Sequence, residues 1–132
     1  MKVRWTNDSI RFRITPSELD ALLRNEMVTE ALHLPGGAVW EVQLRSAVGG
    51  PSRLTSDANA AVILLGPDDR VRLAAEDSEG VYFGEDSGGH GIRFYVEKDF
   101  PCAHPRAIEA QEPVTETFAP PADFVHRKDV AT

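Results

Sequence analysis

The sequence predicts a mostly β domain of α+β type, in which six to eight short strands form a curled antiparallel sheet or partly open barrel with one N-terminal helix. Three observations support this. Apolar and polar residues alternate strictly in several short segments, as in strands that are buried on one side. Glycine- and proline-rich turns separate these segments. One early segment instead has helical spacing behind a capping sequence.

The first strand and the helix follow one another near the start of the chain. In Ser9–Ile14 the apolar residues occupy every second position. Thr15-Pro16-Ser17-Glu18 then reads as a capping box with proline at the first helical position,. Leu19, Leu22 and Leu23 form one apolar stripe, and Asn25 is a suitable stop. We therefore predict a helix over residues 16–25.

The remaining segments predict strands joined by short turns. Residues 60–65 could also be helical, because a short apolar run does not separate the two structures. No internal repeat is evident in the sequence. The predicted strands cover residues 28–34, 39–45, 60–65, 71–73, 81–83 and 92–100, and the expected shared core is Phe12, Ile14, Leu22, Trp40, Phe94 and Val96.

The length of 132 residues predicts one domain with one core,. We place that domain at residues 1–106, followed by a proline-rich tail at 107–132 that packs on the domain or on a partner. Phe118 and Phe124 are the expected anchors of the tail. An open sheet leaves unpaired edges, so the sequence favours a homodimer slightly over a monomer whose tail folds back.

Charge and cysteine content restrict the partners and the compartment. The net charge is −7, whereas a duplex-binding protein needs surplus lysine and arginine, so we predict no nucleic-acid partner. The lone cysteine, Cys102, fits a reducing compartment,. No apolar run approaches the roughly 20 residues that span a bilayer, and no secretory signal follows Met1. These features predict a cytoplasmic protein without a membrane partner.

A strip of charged residues is the candidate ligand site. If the outward faces of the predicted strands adjoin, a strip of basic side chains crosses the sheet. Lys98 falls on an apolar face, where burying a lysine costs free energy unless it is paired. A barrel with the charged face inside would bind a polyphosphate or a dicarboxylate; mutual ion pairing on a wet face is the alternative. The predicted ligand-binding residues are Arg11, Arg13, Arg45, Arg93, Lys98 and Asp99.

No catalytic residue, metal site or cofactor is predicted. One cysteine with scattered histidines does not show the ligand spacing of a zinc site. Cys102 and His104 are two residues apart, and such side chains rarely face one another as a nucleophile and its base. Gly88-Gly89-His90-Gly91 lacks the lysine and helix start of a phosphate-binding loop. Whether the chain is an enzyme stays open, with a negative answer favoured.

The segment Glu97-Lys98-Asp99-Phe100, followed by Cys102 and His104-Pro105, resembles a family of small bacterial proteins of unknown function. The alternating first strand, the helix behind it and the turn at residues 35–37 also fit that family. The resemblance covers roughly residues 1–106 and implies no catalytic residues. Our leading interpretation is an uncharacterised, non-enzymatic binding or interaction module for an unidentified small molecule or protein. The alternative is a barrel that binds or processes small anions or phosphate compounds.

Overall fold

Eight strands and two short helices form two successive hairpin–helix–hairpin units in the computed structural model, which describes residues 1–87, 89–101 and 116–122. The first unit contains β1 (Lys2–Trp5), β2 (Ser9–Ile14), α1 (Pro16–Leu23), β3 (Val28–His33) and β4 (Val39–Ser46). The second contains β5 (Arg53–Asp57), β6 (Ala60–Leu65), α2 (Pro67–Ala74), β7 (Gly80–Ser87) and β8 (His90–Lys98). The mostly β class is as predicted, whereas the second helix was not predicted.

The strands form two four-stranded sheets, and each unit contributes one hairpin to each sheet. Sheet A has the order β1-β2-β8-β7, and sheet B has the order β3-β4-β6-β5. Hairpin partners are antiparallel, but the central pairs β2–β8 and β4–β6 are parallel. The prediction of one curled antiparallel sheet is therefore wrong, since the described strands form two mixed sheets, and these strands close no barrel. Strand alternation gives no information on the direction of a partner that is distant in sequence.

The inner faces of the two sheets share one apolar core. Phe12, Ile14, Phe94 and Val96 come from sheet A and are at most 1% exposed. Val42, Leu44, Ile63 and Leu65 face them from sheet B, and Leu22 of α1 and Leu73 of α2 complete the cluster. The predicted core is confirmed, except that Trp40 is only partly buried and packs against its margin.

Helix α1 begins with the predicted capping box. The backbone N–H of Glu18 donates to Thr15 Oγ1 at 3.3 Å, and the N–H of Thr15 donates to Glu18 Oε1 at 3.0 Å. The helix ends at Leu23, two residues before the predicted boundary, because Arg24 is the C-cap and Asn25 adopts a left-handed φ of 61°. Asparagine tolerates this conformation better than most residues, so Asn25 lies just beyond the helix end rather than within the helix.

Helix α2 replaces the strand predicted at residues 71–73. Pro67 occupies its first turn, Asp68 and Asp69 lie at the positive end of the helix dipole, and Leu73 is buried,. The preceding residue, Gly66, supplies no side-chain cap, since a Cβ there would lie 2.5 Å from the carbonyl oxygen of Gly50. Ser52 Oγ instead accepts from the Gly66 N–H and donates to Asp69 Oδ2.

The two units are related by an approximate twofold symmetry that the sequence does not reveal. The parallel pair β2–β8 ends with Ile14 opposite Lys98, and the pair β4–β6 ends with Leu65 opposite Ser46. One residue beyond each pair, the N–H of Asp99 donates to the carbonyl of Ile14, and the N–H of Ala47 donates to the carbonyl of Leu65, both at 2.9 Å. Matching registers and matching hydrogen bonds indicate a duplicated unit.

A short part of the C-terminal segment packs back on the domain. The N–H of Phe118 donates to the carbonyl of Asp99 at 2.9 Å, and its ring lies edge-on to Phe100. The carboxylate of Glu116 accepts from the backbone N–H and the hydroxyl of Ser17. Phe118 is thus an anchor, as predicted, whereas Phe124 lies outside the described residues.

Removal of the α1 cap should destabilise the domain. Thr15→Ala leaves the Glu18 N–H without its side-chain acceptor, and we expect the free energy of unfolding to fall by about 1 kcal/mol. Urea unfolding measures this change. Thr55→Ala, in an exposed position of β5, is the control and should cost less than about 0.5 kcal/mol. Equal losses in the two variants would contradict the capping role of Thr15.

Candidate functional site

An apolar cleft lies at the open end of the two-sheet sandwich. Its volume is about 530 Å³. Trp5 of β1 and Trp40 of β4 meet there with ring centroids 5.2 Å apart and planes tilted by 56°. We call it the tryptophan cleft. Ile10, Leu54, Ala61 and Ile92 form the rest of its apolar lining.

Polar side chains surround this lining at the strand ends and loops. They offer hydroxyl, amide, imidazole and carboxylate groups from Asn7, Ser56, Glu85 and His90, among others. Glu85 Oε2 also accepts from the Leu54 N–H at 3.2 Å, which joins the edges of β7 and β5. An apolar floor with a few polar groups around it is the usual composition of a small-molecule site.

The alternation of β1 places Trp5 in this cleft. Val3 lies opposite Phe12 and Trp5 opposite Ile10, so both point to the inner face, while Lys2 and Arg4 point outward. Trp5 lies at the open end of this inner face and is 57% exposed. Trp5 was not among the predicted site residues because β1 was not predicted, although the alternation of charged and apolar residues in β1 was a usable signal.

The structure brings two of the predicted ligand-binding residues together on the outer face of sheet A. Arg11 Nε lies 2.9 Å from Glu97 Oε1, and Arg13 Nε lies 3.8 Å from Glu97 Oε2. The Nε–H of Arg11 makes no hydrogen bond, so this contact is an ion pair of poor alignment. The guanidinium of Arg11 also lies 5.4 Å from the ring centroid of Tyr95, within cation–π range.

Two other predicted residues lie apart from that pair. Arg93 extends from the same outer face and forms an ion pair with Asp8 at 3.6 Å. Arg45 belongs to β4 in sheet B, where its Nε lies 3.2 Å from the sulfur of Met27. The predicted strip therefore does not run through all four arginines, because β4 joins the other sheet.

Lys98 and Asp99 lie at the end of β8 and have structural contacts. Lys98 Nζ donates to the carbonyl of Ala75, the C-cap of α2, at 2.7 Å and lies 5.5 Å from the ring centroid of Phe118. Desolvation lowers the pKa of Lys98 below its ordinary value, against smaller opposing effects of Asp77 and Glu76. Asp99 Oδ2 forms an ion pair with Lys2 Nζ at 3.2 Å. Lys98 is thus the counterpart of Ser46, whose hydroxyl donates to the carbonyl of Leu22 at the end of α1.

Other chemistry receives no support from the part of the chain that the structure describes. In that part no three histidine, cysteine or acidic side chains cluster as metal ligands would. Cys102 and His104 lie outside the described residues. Among those residues, neither helix is long and apolar enough to cross a bilayer.

One family model matches the sequence, and it covers residues 1–121. It describes a Family of unknown function (DUF7009).

The chain belongs to this family.

Membership confirms the expected likeness to a family of unknown function, and the match reaches residue 121 rather than residue 106. No curated protein and no solved structure matches the chain. The family supplies no activity.

Burial of Lys98 should make its contribution to stability depend on pH. Because its pKa is lower in the native state than the ordinary 10.5, the unfolded chain binds more protons in the window just below 10.5, and stability rises with pH there. The free energy of unfolding of the wild type, relative to Lys98→Met, should therefore grow as the pH rises through this window. Paired urea titrations at several pH values measure the difference.

Lys98→Arg provides the matched control because arginine keeps its proton throughout this range. The free energy of unfolding of the wild type, relative to Lys98→Arg, should rise with pH in the same way as it does relative to Lys98→Met. A difference between wild type and Lys98→Met that shrinks with rising pH would contradict the buried position of the ammonium group.

Proposed function

We propose that the chain is a binding module that takes a small molecule into the tryptophan cleft. The observation that carries the proposal is the pair of indole rings at the open end of the core. Large aromatic side chains left partly exposed in a concave site commonly mark a binding surface. The residues at equivalent positions in the other half, Ser56 and Ile92, are not aromatic. The fold therefore does not require tryptophan at these positions.

The lining supports an uncharged ring-shaped ligand with polar substituents. The indoles and the aliphatic residues offer a flat apolar surface, and covering roughly 150 Å² of ligand apolar surface contributes about 4 kcal/mol. Asn7, Ser56 and His90 lie where substituents of such a ring would reach the rim, and hydrogen bonds there fix its orientation.

Binding rather than catalysis fits this arrangement. The floor of the cleft consists of hydrocarbon and indole surface, which supplies affinity but no nucleophile and no group for proton transfer. The acid at the rim, Glu85, is already hydrogen-bonded to the backbone of Leu54. The lone cysteine of the sequence supports a reducing, cytoplasmic location for this module.

The outward placement of the arginines argues against the alternative of an anion-processing barrel. Such a barrel would need its basic residues inside, whereas Phe12, Ile14 and Phe94 fill the interior. The homodimer expected from the sequence stays a proposal. The edge position of β3 and the 48% exposure of Leu32 are the features that support it.

The two tryptophans of the chain allow a direct test. Both line the cleft, so their indole N–H resonances report on it without interference. We expect some members of a set of uncharged aromatic amides and methyl glycosides to shift both resonances with one shared, saturable Kd. Trp5→Ala and Trp40→Ala should each weaken that binding at least tenfold, and each variant retains the other indole as reporter.

Tyr82→Ala is the matched control, because Tyr82 is as exposed as Trp5, at 57%, but lies on the outer face of sheet A. This variant should bind as the wild type does. Either of two results would contradict the proposal: no saturable shift with any compound, or binding that survives in both tryptophan variants.

A further inference from the structure

The outer face of sheet A combines positive charge with aromatic rings. We call it the basic face. Its pairing registers place two acids, Glu97 and Asp86, among five basic residues: Lys2, Arg4, Arg11, Arg13 and Arg93. Asp8 and Asp99 reach it only from the strand ends. The local charge is therefore positive, whereas the whole chain carries −7.

One rung of the sheet crosses this face as two cations followed by two tyrosines. Arg4 lies opposite Arg11, Arg11 opposite Tyr95, and Tyr95 opposite Tyr82. Neighbouring strands are roughly 4.8 Å apart, so the rung is about 14 Å long. Arg4 forms no ion pair with any described residue, and Tyr82 is 57% exposed.

Glycine keeps the surface beside Tyr82 flat. Gly84 is the next outward residue of β7 and lies opposite Arg93. A Cβ at Gly84 would meet nothing within 4 Å, so packing does not require glycine there. The effect of its missing side chain is an open platform next to an exposed aromatic ring.

The duplicated half shows that the fold does not need this charge. Val62 and Leu64 of sheet B occupy the register positions of Arg11 and Arg13, and Gln43 occupies that of Tyr95. At the inner positions both halves keep apolar residues, with Phe12 matched by Ile63 and Ile14 by Leu65. The scaffold thus folds with neutral residues at the positions of Arg11 and Arg13, so packing does not require cations there.

We propose that the basic face binds single-stranded nucleic acid. Single strands are held by cations that follow the backbone and by aromatic side chains on which bases stack, and the rung from Arg4 to Tyr82 offers both across one flat sheet. A duplex does not expose its bases for stacking on such a platform, and an acidic peptide would leave the tyrosines unused. This proposal departs from the expectation drawn from net charge, because that expectation averaged the basic face with acidic residues elsewhere.

The acidic remainder of the chain limits the affinity and makes it sensitive to salt. A single strand that places two to three phosphates on this face should lose about tenfold in affinity between 50 and 200 mM salt. The tryptophan cleft takes no part, since Trp5 points to the opposite side of β1. The presence or absence of nucleic-acid binding at the basic face is therefore independent of small-molecule binding in the tryptophan cleft.

Fluorescence anisotropy with a labelled uridine 12-mer and the full chain tests the proposal. We expect saturable binding at 50 mM salt with the salt dependence given above. Tyr82→Ala should weaken it about fivefold or more through lost stacking, and Arg4→Ala should weaken it by a similar factor and reduce the salt slope. Both side chains are exposed, so neither change threatens the core.

Arg53→Ala is the matched control, because Arg53 occupies on sheet B the register position of Lys2. This variant should bind the 12-mer as the wild type does. Three results would each overturn the proposal: no binding at 100 µM protein, equal binding of a uridine–adenosine duplex, or displacement by polyglutamate at matched charge. The last result would reveal a general anion surface on which the tyrosines have no role.

Discussion

The two parallel strand pairs hold the structure together. Because β2 pairs with β8 and β4 with β6, each sheet needs one hairpin from each half of the chain, and neither half can complete a sheet alone. The apolar core lies between these pairs. At one end, both helices start directly behind the central strands β2 and β6. At the other end the tryptophan cleft opens, and no helix within the described residues covers the core there.

Approximate symmetry separates what the fold requires from what it permits. Inner positions are apolar in both halves, since they fill one core. Outer positions and the cleft differ between the halves: Arg11 corresponds to Val62, Trp5 to Ser56, and Trp40 to Ile92. Both proposals rest on positions at which the two halves differ, because packing does not explain the residues found there.

Local patterns were sufficient to predict much of the fold but not its pairing. The alternation in β2, β4 and β8 and the capping box at Thr15 are properties of neighbouring residues, so they could be read from the sequence. Helix α2 was missed because Gly66 has no capping side chain and Val71-Arg72-Leu73 also alternates. Sheet membership could not be read, since Ile14 meets Lys98 only after most of the chain has intervened. Arg45 was therefore grouped with arginines of the other sheet, and the opening beside Trp5 was not foreseen.

Native-state hydrogen exchange tests the interlocked arrangement most directly. The account predicts that the most protected amides of β2 and β8 in sheet A, and those of β4 and β6 in sheet B, exchange with the same free energy of opening. That value should equal the global free energy of unfolding from urea titration, because opening either sheet removes a hairpin of each half. A lower opening energy for one sheet, with the other still protected, would show that the sheets fold independently and would contradict the account.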